Sequence, residues 1–163
     1  MAEIPADEAT MDRWFGVTLN NRTWDGLDAG SPSAESPPEE KEAFLYGAYA
    51  SAYHWRQIGG VAEQARGEHL ISRTALRIGE FDRALHHARR CHQLVTGNPA
   101  ATEDWDLAFA LEALARALAA TGDLEEARAR LDEAVGAAAS VSETEDREIL
   151  EAEINRGEWF GLR

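Results

Sequence analysis

Arg66, Arg73 and Arg77 stand seven and four residues apart, a spacing that sets three guanidinium groups along one face of a helix. A guanidinium grips a carboxylate through two parallel hydrogen bonds. Joined by Arg116 from a neighbouring helix, the row is therefore a candidate cradle for an acidic or C-terminal peptide. The chain's own acids compete for the role: Glu112, Glu63 or the acidic N-terminal segment could pair with these arginines instead. An exposed ion pair contributes only about 0 to 1 kcal/mol, so stability alone poorly explains several arginines on one face.

The five histidines, His54, His69, His86, His87 and His92, raise a second chemistry, since neutral imidazole binds zinc, copper or nickel. Their spacing argues against it. His87 and His92 are five apart and His86 and His92 six, whereas two ligands on one helical face sit three or four apart. Only a site assembled between helices, His54 with Glu68 and His69, escapes that objection. The same three residues, with Tyr53, Trp55 and Arg56, are the one candidate acid-base or small-molecule pocket. No nucleophile motif, phosphate-cradling glycine loop or paired-carboxylate motif accompanies them, so no cofactor, metal or catalytic residue is expected and a binding role is favoured over an enzymatic one.

Charge is unevenly spread. The chain of 163 residues has a net charge of -14, yet residues 56–90 carry seven Arg against four acids, while 1–45 and 101–163 are strongly acidic. A basic centre between acidic flanks suits an acidic protein or peptide partner. Overall acidity repels phosphate at long range and disfavours nucleic acid. Acids near the start and the absence of a long uncharged apolar run argue against a secretory leader or a membrane span. The chain reads as cytoplasmic, and fifteen Arg against one Lys hints at a GC-rich bacterial genome. Cys91 is alone, which excludes an intrachain disulfide, and it falls on an apolar stripe.

The elements that must position these residues are helices. Ala62, Ala65, His69, Ser72 and Leu76, then Phe81, Ala84, Leu85, Ala88, Cys91 and Val95, recur every three or four residues, so each segment has one stripe fit for burial. Between them the corner Ile78-Gly79-Glu80-Phe81 is too short to let the second helix do anything but fold back along the first. Thr121-Gly122-Asp123-Leu124 repeats that corner 43 residues later, between stripes at Leu107, Leu111, Leu114 and Leu118 and at Ala127, Leu131, Ala134 and Ala138. No strand-like alternation occurs.

An apolar residue after each corner, Ala three residues on (Ala84, Ala127), and small or apolar residues four and seven beyond (Ala88 and Cys91, Leu131 and Ala134) resemble the tetratricopeptide repeat family over residues 66–138. The chain departs from that pattern at Glu68, where a bulky residue is usual, at Thr96 and Ala139, where Pro is common, and in a period longer than about 34. The resemblance implies an all-α fold of stacked antiparallel helical hairpins, about two repeats with flanking helices. It also implies a groove lined by the first helix of each pair: Arg66, His69, Arg73 and Arg77, then Phe109, Glu112, Arg116 and Ala120, holding an extended peptide.

Around this body, residues 1–28 are expected to form one or two short helices packed on it, weakened by Gly16 and Asn20-Asn21. Residues 29–38 read as a Gly/Ser/Pro linker, and 39–163 as the helical domain. Capping is predicted at Ser36, Thr102, Asp123 and Ser142. The terminal helix is expected to have a polar outer face, with Trp159 and Phe160 either tucked back or free. Two repeats leave ends to cover, by flanking helices or by a homodimer.

Overall fold

A computed structural model describes residues 7–163, and every regular element among them is helical. Seven α-helices follow in order: α1 (Glu8–Ala29), α2 (Pro38–Ile58), α3 (Val61–Arg77), α4 (Phe81–Gly97), α5 (Asp104–Ala120), α6 (Leu124–Ala139) and α7 (Thr144–Asn155), with a 3-10 turn at Pro99–Ala101. None of them is long and apolar enough to cross a membrane.

The two glycine corners close as their residues require. Gly79 and Gly122 have φ of 83° and 94°, the left-handed region that costs a glycine nothing. At each, an amide donates five residues back, Glu80 N to Ala75 O and Asp123 N to Leu118 O, at 2.9 and 3.0 Å, satisfying carbonyls the helix end leaves open. Hence α3/α4 and α5/α6 are antiparallel hairpins. Leu70, Ile71, Ala75, Ala84 and Ala88 are buried between the first pair and its neighbours.

A third hairpin replaces the short N-terminal helices expected over 1–28. Residues 8–29 form one helix of 22 residues, and Met1–Ala6 lie outside the described residues. Asp7 caps it, accepting from Thr10 N at 2.7 Å. Gly16 does not break α1, because α2 packs closely on its bare Cα: an added Cβ would lie 3.0 Å from the Trp55 indole, and Ser51 Oγ donates to Gly16 O at 2.9 Å. Burial against α2 outweighs a propensity cost of about 1 kcal/mol.

Three caps differ from expectation. Ser36 Oγ accepts from Ser33 N within the connecting turn, and α2 starts after Pro37 without a side-chain cap. Glu103, not Thr102, precedes α5, its amide donating to the Asp106 carboxylate at 2.9 Å. Ser142 donates to Asp104 rather than capping α7. Asp123 does cap α6, accepting from Glu126 N.

Hairpin follows hairpin so that α1, α3, α5 and α7 pack side by side, while α2 and α4 each pack against the helices before and after them. Cross-helix contacts give the direction: Trp24 beside His69, His69 beside Phe109, and Arg116 reaching Glu153 O. Arg66 meets Asp106 and Arg73, seven residues on, meets Glu112, six residues on, so α3 and α5 run parallel. Enclosed by α3, α4, α6 and α7, α5 is buried almost all round instead of along one stripe, with Asp106, Glu112 and Arg116 inside.

Candidate functional site

The residues singled out from the sequence lie on the layer of first helices, where α3 presents Arg66, His69, Arg73 and Arg77 in succession toward α1 and α5. The structure brings them onto one face but does not leave them open. Arg66 donates twice to Asp106, both at 2.9 Å, and lies over the Trp105 ring at 4.3 Å. Arg73 divides its guanidinium between Glu112 at 2.5 Å and Glu153 at 2.7 Å. Arg116 is only 2% exposed. It is bonded to Glu112 through Nε, donates to the carbonyls of Glu158, Glu153 and Arg156, and stacks on Trp159 at 3.9 Å.

The expectation of an open hollow walled by four arginines is therefore corrected: three of the four are held by the chain's own groups. The physical reason is the neighbour the sequence pattern did not place. α7 packs beside α5, and its Glu153 and the carbonyls of its end enter the space between α3 and α5. A charge ladder results: Asp28, Arg156, Glu153, Arg73, Glu112 and Arg116 alternate in sign, with Arg156 donating to Asp28 at 3.0 Å. It ties α1 to α7 across the layer.

Glu112 is the pivot. It is fully buried, which by itself would raise its pKa; the charges of Arg73 and Arg116 and a contact with His69 outweigh burial and hold it down to about 2. Its second oxygen, Oε2, and Nε2 of His69 are both buried without a hydrogen-bond partner and face each other at 3.9 Å. Phe109 packs edge-on against His69, and Trp24 stacks on its other side at 5.8 Å between centroids.

Two cavities open on this face. The larger, about 390 Å³, is lined by Trp24, Leu27, Leu76 and Phe160, by Arg73, Arg77, Arg116 and Arg156, and by Asp28, Glu35, Glu153 and Glu158. Arg77 is exposed there and forms no ion pair or hydrogen bond among the described residues. The second, about 200 Å³, is lined chiefly by Trp24, Trp105, Phe109 and His69, with the Arg66–Asp106 pair at its wall.

The His54/Glu68/His69 pocket does not form. His54 pairs with Asp12 at 2.6 Å and stacks on Phe15. Glu68 pairs with His87 at 2.5 Å, and His69 turns the other way, toward α5. Positions 68 and 69 are consecutive on α3 and so diverge by about 100°. Among the described residues no group of three His, Cys, Asp or Glu side chains could hold a metal ion.

One arrangement was not legible beforehand. His87 joins Glu68 through Nδ1 and the Tyr49 hydroxyl through Nε2 at 2.8 Å, and Arg83 donates to the same hydroxyl at 3.2 Å. Carboxylate, imidazole and phenol in line can relay a proton, but neither cavity above reaches them, and they tie α2 to α3 and α4. Trp159 and Leu162 are buried, with Phe160 edge-on to Phe81, so the C-terminal aromatics pack on the body. Compared with known protein families, curated proteins and solved structures, the chain matches none.

Proposed function

We propose that the protein is a tetratricopeptide-like binding module of the bacterial cytoplasm that holds the C-terminal carboxylate of a peptide segment in the cavity between α1, α3 and α7. The observation that carries this reading is Arg77, an exposed guanidinium at a 390 Å³ cavity with no carboxylate of its own among the described residues. Four arginines and four acids line the cavity, so its local charge is balanced and a densely acidic segment gains little from it. A single carboxylate suits it better, with the peptide's last side chain against Leu27, Leu76 and Phe160.

Fluorescent peptides ending in an apolar residue, free or amidated at the C-terminus, would test this by anisotropy. Loss of one charge-assisted contact costs about 1.5 to 3 kcal/mol, so amidation or Arg77→Ala should weaken binding about ten- to a hundredfold while leaving thermal stability unchanged. Binding indifferent to both changes would remove the proposal. Arg73 is the wrong residue for this test, since its removal takes one of two arginine partners from each of the buried Glu112 and Glu153 and so costs stability.

A further inference from the structure

Three helices end at the cavity that holds Arg77. Asp28 in the last turn of α1, Arg77 at the end of α3 and Arg156 just past α7 all line it, so three helix C-termini, each equivalent to about half a negative charge, converge there. We infer that the ligand of this cavity carries an ammonium group as well as a carboxylate, as a short peptide with both ends free does. The inference rests on the C-terminal reading above and names the class of ligand within it.

The charges in the lining point the same way. Arg73 and Arg156 are bound to Glu153, Arg156 also to Asp28, and Arg116 to the buried Glu112. That leaves Arg77, Glu35 and Glu158 in the lining without an ion pair among the described residues, all three exposed; Glu35 holds only the Ser33 hydroxyl, at 2.9 Å. One open cation against two open carboxylates is the wrong balance for an anion alone. With a carboxylate on Arg77, lining and ligand together hold five acids against four arginines, facing three negative helix ends. An ammonium on the same ligand restores neutrality.

The open groups come from different segments of the wall. An added Cβ on Gly30 would lie 2.5 Å from Arg77 Nη2, which puts that guanidinium against the connection between α1 and α2, where Glu35 also lies. Glu158 belongs to the segment that follows α7, its carbonyl accepting from Arg116 Nη1 at 2.7 Å. A ligand bonded to Arg77 and to Glu158 therefore bridges the two segments, with its side chains against Leu27, Leu76 and Phe160. At about 390 Å³ the cavity is near the lower end of the roughly 300–1,000 Å³ typical of small-molecule sites, which suits a peptide of about two or three residues better than a long segment.

Calorimetric titration of the full chain with alanyl-leucine and alanyl-alanyl-leucine, each with its amino end free or acetylated, tests the inference. The free forms should bind about five- to tenfold more tightly, between the values of an exposed ion pair and of a charge-assisted hydrogen bond. A hexapeptide with the same last two residues controls for the general attraction of an acidic protein for a cation, and should bind equally in both forms because its amino end lies outside the cavity. The double change Glu35→Gln and Glu158→Gln should erase the preference; both positions are exposed, so the fold is not at stake. Equal affinity for free and acetylated short peptides, the same preference in the hexapeptide, or a preference that survives the double change would overturn the inference. Alanyl-leucine amide separates it from the reading it rests on. Weakening by amidation together with indifference to acetylation removes the ammonium alone, whereas indifference to amidation, or no heat from any peptide at millimolar concentration, removes both.

Discussion

Glu112→Gln is the sharpest probe of how the first-helix layer is held. The substitution keeps shape and removes the charge on which Arg73 and Arg116 converge. Displacement of the Glu112 pKa from 4.5 to about 2 corresponds to roughly 3 kcal/mol of folding free energy near neutral pH, similar to the cost of about 3 to 5 kcal/mol for breaking a buried ion pair by removing one partner. The sign is fixed by the direction. A carboxylate depressed in the folded state stabilises above its unfolded pKa, and that contribution is lost as pH falls from about 4.5 toward 2. The difference between wild type and variant should therefore be roughly 3 kcal/mol at pH 7, a fall of about 6 to 12 °C in Tm for a chain this size, and should shrink to about half by pH 3. Urea unfolding of both proteins from pH 7 to pH 3 measures this difference directly, because other carboxylates titrate in both and cancel. A difference independent of pH, or below about 1 kcal/mol at pH 7, would refute the assignment of Glu112 as an ionised pivot.

The remaining predictions concern the frame. Leu111→Ala should cost about 2 to 5 kcal/mol by chemical denaturation, since Leu111 is 2% exposed in the helix that α3, α4, α6 and α7 enclose. Gly122→Val should lower Tm through backbone strain alone, because a Cβ there would meet nothing within 4 Å; Gly122→Asn, a residue that tolerates the left-handed region, should recover most of the loss. Gly67→Ala should destabilise by about 1 to 3 kcal/mol for the opposite reason, its Cβ arriving 3.0 Å from Ala52 Cβ at normal helical geometry. Arg73→Ala should cost stability in the same denaturation assay, whereas Arg77→Ala should leave it within about 0.5 kcal/mol.

Helical periodicity and two glycine corners were enough to place α3 through α6, because both signals are local: a stripe every three or four residues and a left-handed glycine act within one turn of chain. The first hairpin was only half legible. Gly16 and Asn20-Asn21 read as helix weakeners on their own, and the benefit that outweighs them, packing on Trp55 and Ser51 of α2, comes from 35 or more residues away. The site divides the same way. Arg66, Arg73 and Arg77 share a face because of their spacing, and the sequence alone determined that much. Which of them remains available was decided by tertiary structure, since the answer depends on Asp106, Glu112 and Glu153, which lie 39 to 80 residues distant from their arginines. A sequence records how many carboxylates there are; only the packing of α5 and α7 against α3 brings three of them within hydrogen-bond reach and leaves Arg77 outside.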